Sequence, residues 1–279
     1  MTHTASSPTL ALNDGNHIPR IGLGTWQTPG TSAANAVVDA LAAGYRLVDT
    51  AAIYGNEHEV GKGLRHSGLA RSQFFVTTKL WNDRQGYDET LHAFDESLRR
   101  LRLEYVDLYL IHWPMPRQDR YVESWRALIR LQQDKRARSI GVSNFQIAHL
   151  DRIITETGVV PAVNQIELHP DFQQRELQAF HLVHGIRTQS WSPLGQGTLL
   201  ANPTVLKIAA KHGKTPAQTI LRWHLDKDLL TIPKSVHAAR MAENLAVFDF
   251  ALDSEDLAHL ALLDNPGHRI GPHPDTVNF

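Results

Sequence analysis

The chain contains no cysteine, so neither a disulfide framework nor a thiolate metal site is open to it. It lacks a charge imbalance: 28 Lys and Arg face 29 Asp and Glu, a formal net charge of -1. Neither a nucleic acid nor an anionic membrane is then the expected main partner. No apolar run approaches the roughly 20 residues of a membrane span. The opening, "MTHTASSPTLALNDG", has no basic start and no apolar stretch, so it does not read as a signal peptide. No linker or low-complexity segment interrupts the sequence. A glycine-rich dinucleotide fingerprint is missing too, because "GLGTWQ" has no third glycine in place. A cytoplasmic protein is expected, folded as a single domain over residues 1–279.

What is present is ample core material: 42% hydrophobic residues over 279 positions. Asn13-Asp14-Gly15 between apolar residues signals a hairpin. A strand–helix rhythm follows. "RIGLGTW" reads as a strand. "TSAANAVVDALAAG" reads as a helix, capped by Thr31 or Ser32 and stopped at Gly44. "YRLVDT", "QFFVTTKL", "VDLYLIHW", "RSIGVSNF", "PAVNQIEL", "IRTQSWSPL" and "LLTIPKS" are further strands, each separated from the next by a helical pattern. "HAARMAENLAVF" and "SEDLAHLALLD" close the chain as helices. The strands are short apolar runs, as strands buried on both faces require. Eight such strands without the fingerprint predict a (β/α)8 barrel rather than an open doubly wound sheet.

Barrel chemistry gathers at the C-terminal ends of the strands. Those ends carry Thr25-Trp26, Asp49, Lys79, His112, Ser143-Asn144, Gln165, Trp191 and Lys234. Singly, each reads as a helix cap, a solvated edge or a core residue. Together, at one end of one barrel, they define a pocket. Asp49 needs a partner there, since an unpaired buried carboxylate is costly, and Lys79 on the neighbouring strand supplies it. Tyr54, on the turn after Asp49, is a poor acid with an ordinary pKa of about 10. A nearby ammonium is expected to lower that pKa. With His112 donating a hydrogen bond, the set suits giving a proton to an oxygen. A Schiff-base role for Lys79 is the competing barrel chemistry. Sixteen histidines are more than usual. His181 and His184 have a metal-like spacing but no third ligand nearby, and read as a helix surface; no metal is expected.

"GYRLVDTAAIYGNEHEVG", "LYLIHWP", "RSIGVSNF", "PAVNQIELHP" and "IPKS" followed by "ARMAEN" resemble the signatures of the aldo-keto reductases, in order and over essentially the whole chain. "WNDR", "SWSPLGQG", "GKTPAQTILRWH" and "NLAVFDF" are most similar to the bacterial 2,5-diketo-D-gluconate reductases. The resemblance implies an extended NADPH held by a barrel. It implies Tyr54 as general acid, Lys79 as the charge that tunes it, Asp49 as the holder of Lys79, and His112 as the orienter of the carbonyl. Ser143, Asn144 and Gln165 match the positions that hold the nicotinamide amide, and Trp191 the ring that stacks on it. Ser192, Leu194 and Gly195 match the pyrophosphate loop. Lys234, Ser235 and Arg240 match the 2′-phosphate site, with Glu243 and Asn244 toward the adenine. Thr25, Trp26 and Val236 complete the expected cofactor contacts. His237 stands where close relatives can carry a second arginine. Trp26, Trp81 and Trp113 match an apolar substrate wall, and "NPGHRIGPHPDTVNF" a loop that closes over the pocket. The implied substrate is a small carbonyl compound, with 2,5-diketo-D-gluconate and methylglyoxal as candidates, and the implied state a monomer. A regulatory subunit that binds the cofactor with little turnover is the alternative.

Overall fold

Two short strands, β1 (Thr9–Ala11) and β2 (His17–Pro19), pair antiparallel across the Asn-Asp-Gly turn. This is the hairpin that the turn residues predict. The computed structural model describes residues 7–279; the opening segment judged for targeting lies partly outside them. Eight parallel strands follow: β3 (Leu23–Gly24), β4 (Leu47–Asp49), β5 (Phe75–Leu80), β6 (Val106–Ile111), β7 (Ala137–Ser143), β8 (Val163–Glu167), β9 (Arg187–Trp191) and β10 (Leu230–Thr231). Each pairs with the next in chain order.

The ring is closed between the first and last of these strands. Gly22 N donates to Thr231 O at 2.9 Å, and Gly24 N donates to Pro233 O at 3.1 Å. Further parallel bridges join Ile21 to Thr231 and Gly24 to Lys234. Glycine is required at this seam: a Cβ on Gly24 would lie 2.7 Å from the Ile232 carbonyl oxygen. The protein is thus a (β/α)8 barrel, as its repeat predicts.

The helices are α1 (Gly30–Ala43), α2 (Glu57–His66), α3 (Tyr87–Leu101), α4 (Tyr121–Gln133), α5 (Ile147–Thr157), α6 (Arg175–His184), α7 (Pro203–His212), α8 (Pro216–Asp226), α9 (Ala238–Leu245) and α10 (Ser254–Ala261). They form the outer layer. Period-two alternation divides the strand residues between two cores. One core packs strands against helices through residues such as Val48, Val76, Tyr109 and Val142. The other fills the barrel with Leu47, Phe75, Leu108, Leu110 and Val163, and Leu12 and Ile18 of the hairpin segment join it. The hairpin therefore plugs one end of the barrel and leaves the other to the strand C-termini.

Several local expectations are corrected. The first helix starts at Gly30 after Pro29, without a side-chain cap from Thr31 or Ser32, though it does stop at Gly44. The α9 helix ends at Leu245, short of Val247 and Phe248. Gln165 is not a strand end, because β8 runs on to Glu167. Lys234 lies beyond β10, held in place by the Gly24 bridge. His181 is not on a helix surface: it is buried, contacting Asn164 Nδ2 at 2.9 Å and Thr188 Oγ1 at 2.8 Å. The amide nitrogen of Asn164 can only donate, so His181 Nε2 accepts and Nδ1 carries the proton.

Candidate active site

The strand C-termini surround a cavity of about 620 Å³. Asp49 closes β4 and Lys79 is the penultimate residue of β5, one strand away; both side chains are buried. Lys79 Nζ donates to Asp49 Oδ1 at 2.5 Å, to Thr50 O at 2.9 Å and to Tyr54 OH at 3.5 Å. The three donors of the ammonium thus meet three acceptors. Asp49 Oδ2 accepts from Gln165 Nε2 at 2.7 Å. Burial pushes the Asp49 carboxyl above its ordinary range, against the pull of Lys79. Burial acts downward on Lys79, but Asp49 and Tyr54 outweigh it and hold the ammonium above its usual value.

Tyr54 ends a 3-10 turn, Ala52–Tyr54, that follows β4. Its pKa is raised, not lowered as the ammonium alone would have it. Burial disfavours the phenolate, Lys79 opposes that, and Asp49 adds to the rise. Desolvation thus outweighs the neighbouring charge. The phenol is therefore protonated throughout the neutral range. His112 directly follows β6, and its ring meets Tyr54 edge-on with centroids 5.7 Å apart. Burial, aided by Lys79, holds the imidazole well below its ordinary pKa, so it is neutral. Its Nδ1 is buried without a partner.

A second network lies beside this one. Ser143 Oγ donates to Gln165 O at 2.8 Å. Asn144 Nδ2 donates to His112 O at 2.9 Å and to Ser143 Oγ at 3.1 Å, and Asn144 Oδ1 accepts from Trp191 Nε1 at 2.8 Å. Trp191 is thereby fixed in orientation at the cavity wall. Thr25 Oγ1 donates to Asp49 O at 2.9 Å. Thr25, Asn144, Gln165, Trp191, Ser192 and Lys234 all line the cavity. Leu194 leads into a 3-10 segment, Gly195–Ala201, at its edge.

At the start of α9, Lys234, Val236, His237 and Arg240 are exposed, while Ser235 is buried and accepts from His237 N at 3.1 Å. Lys234 and Arg240 form no salt bridge among the described residues. Glu243 Oε1 accepts from Thr215 Oγ1 at 2.7 Å, and Asn244 is buried behind it.

Trp26, Trp81 and Trp113 all line the cavity, Trp26 at an exposed rim. The sequence reading missed Phe279, whose ring centroid lies 5.4 Å from those of both Trp81 and Trp113. It also gave no role to Glu167. That carboxylate accepts from Ile270 N at 2.6 Å and from Gly271 N at 2.8 Å, and contacts His169 Nε2 at 3.1 Å. It pins the final loop over the cavity. Gly271 must be glycine there, since a Cβ would sit 2.6 Å from the Trp191 ring. A signal for Glu167 was present: two residues after Gln165, it shares a strand face with it.

Residues 20–265 match the model of the Aldo/keto reductase family. The chain belongs to that family. Membership makes it an oxidoreductase of carbonyl compounds that uses NADP(H). It is 55% identical over 273 residues to an aldo-keto reductase of Mycobacterium sp. (strain KMS), covering 98% of this chain and 99% of that one. It is 50% identical over 273 residues to the methylglyoxal reductase DkgA of Escherichia coli (strain K12), covering 97% and 98%. Among solved structures, a point mutant of Gox0644 in complex with NADPH superposes with a TM-score of 0.95 at 53% identity, covering 99% of this chain and 100% of that one. An aldo/keto reductase from Brucella melitensis gives 0.90 at 56% identity, covering 93% and 100%.

Proposed function

We propose that this reductase converts small uncharged aldehydes and ketones, methylglyoxal-like dicarbonyls among them, to alcohols with NADPH, and that Tyr54 donates the proton. The observation that carries this is the position of Lys79 Nζ, bonded to Asp49 and 3.5 Å from the Tyr54 hydroxyl. The DkgA relative's name, methylglyoxal reductase, supports the substrate.

The residues present fit the cofactor. Gln165 has both amide hydrogens engaged, and its Oε1 is left for a ligand amide. Trp191 offers a flat face for stacking. Lys234 and Arg240 are cations without an ion-pair partner among the described residues, at a helix start, where charge-assisted bonds to a phosphate are strong. NADPH, when bound, supplies the hydride. The protein's own part is to place the carbonyl oxygen and protonate it. Neutral His112 can donate one hydrogen bond to that oxygen, since burial keeps it uncharged. The Tyr54 phenol gives up its proton, and the Lys79 ammonium stabilises the phenolate left behind. Asp49 keeps Lys79 in place. The aromatic wall excludes water and strengthens each of these interactions.

The cavity also speaks to the substrate. Among its described lining residues only Asp49 and Lys234 are charged. Asp49 is paired, and Lys234 lies on the side assigned to the cofactor phosphate. A substrate carboxylate would have no cation of its own, which favours methylglyoxal over 2,5-diketo-D-gluconate. The test is a panel of both, with neutral aldehydes and keto acids, ranked by kcat/KM with NADPH. Neutral carbonyls should lead; a clear preference for the sugar acid would overturn the substrate assignment.

A further inference from the structure

We infer that Gln189 is a positioning residue, which holds the Gln165 amide so that its Oε1 points at the cofactor; this rests on the assignment of the cavity to NADPH. Gln189 on β9 stands opposite Gln165 on β8 in the strand register. Gln165 Nε2 donates to Asp49 Oδ2 at 2.7 Å and to Gln189 Oε1 at 2.8 Å. An amide nitrogen carries two hydrogens. Both are committed, one on each side, so rotating the amide by half a turn would break two bonds and bring Oε1 against a carboxylate. The only group left to face the cavity is the acceptor Oε1. Gln189 itself is fully buried and is absent from the cavity wall. It cannot touch a ligand and acts only through Gln165.

The other end of Gln189 strengthens the case. Its Nε2 is a buried donor without a partner among the described residues. A buried orphan donor is unfavourable for stability, so what Gln189 contributes is its acceptor. With that acceptor gone, Asp49 still holds one hydrogen of Gln165 and keeps Oε1 from turning to the carboxylate, but the amide can pivot about that one bond and Oε1 loses its fixed direction into the cavity. A carboxamide on a nicotinamide ring would then lose the well-placed acceptor that its own NH2 group needs. The ring is common to both cofactors, so NADPH and NADH should be affected alike.

The test measures Kd for NADPH and NADH by quenching of tryptophan fluorescence, with Tm of the cofactor-free protein alongside. Gln189→Met should raise both constants about five- to tenfold, the effect of one hydrogen bond, with Tm little changed because an orphan donor is removed too. Gln189→Glu keeps an acceptor oxygen in either protonation state, and should bind within about twofold of wild type. If the Met protein does not fold, Gln189→Asn, an amide too short to reach Gln165, replaces it with the same expectation. Wild-type affinity in the Met or Asn protein, or equal weakening in Met and Glu, would overturn the inference. So would a loss confined to NADPH. Failure of the wild-type protein to bind either cofactor would instead remove the cofactor assignment, and this role with it.

Discussion

Lys79 and Asp49 form a buried ion pair: the side chains are 0% and 2% exposed, and the nitrogen lies 2.5 Å from the oxygen. Such a pair is weak support for stability while intact, yet losing one partner strands the other at about 3–5 kcal/mol. Lys79→Met should therefore lower Tm and reduce kcat together, since the phenolate of Tyr54 also loses its stabilising charge. Thermal denaturation and steady-state kinetics on the same preparation check this. An active variant of unchanged Tm would show that the pair serves neither purpose.

Tyr54→Phe separates chemistry from binding. The hydroxyl is the proposed proton source, and general acid catalysis contributes typically 10²–10⁴-fold. We expect kcat to fall by about that factor with the NADPH Kd nearly unchanged. Because burial raises the Tyr54 pKa, the acid stays protonated above its ordinary value of about 10. The wild-type rate of reduction should then show no loss from this group at mildly alkaline pH. Retention of wild-type kcat in the Phe variant would place the acid elsewhere.

Arg240 tests the cofactor's phosphate end. Exposed at the start of α9 and without an ion-pair partner among the described residues, it is proposed to bind the 2′-phosphate. Arg240→Ala should raise Kd for NADPH and leave NADH, which lacks that group, almost as before. Parallel weakening of both would make Arg240 a structural residue.

His181 and His224 predict acid sensitivity. Burial lowers their pKa values to about 3 and about 4, and both rings are neutral in the fold. Unfolded histidine titrates near 6.5. Below that pH the unfolded chain binds protons that the native one refuses, so stability falls as pH drops from about 6.5 toward the folded values. A protonated His181 would also turn an N–H toward the Asn164 amide. Urea denaturation at pH 7 and pH 4.5 should show a clear loss, and His181→Gln should reduce the slope. An unchanged slope in that variant would assign the acid loss to other groups.

Much of this was legible in the chain. Asp49, Lys79 and His112 stand at or beside the ends of apolar runs, where a barrel brings them together whatever the loops do. The count of runs, taken with the missing glycine fingerprint, was enough to choose the barrel. What escaped depended on depth or on distance along the chain. The direction of the Tyr54 shift turns on desolvation, which no spacing reveals. Phe279 packs on Trp81 and Trp113 through a loop whose path has no periodicity to follow. Gln189 was within reach, since it shares a strand face with Trp191 at a spacing of two, but a glutamine inside a barrel announces itself only through its partner. His181 misled because a helix face looks polar until the two strands beneath it supply Asn164 from β8 and Thr188 from β9.

The seam at Gly24 bears on how the chain is made. The strands that meet there come from opposite ends of the sequence, so during synthesis β3 waits, unpaired on one side, until the residues around Ile232 have left the ribosome. Until then the sheet is open, with an exposed edge of the kind that pairs with the wrong partner. Closing so long a loop adds only slowly to the entropic barrier, but it makes the last step of folding a non-local one. A methyl group at Gly24 would act on that step, since it collides with the carbonyl that completes the ring. Its mark should be slow refolding and aggregation of the newly made chain, with a less stable barrel once closed.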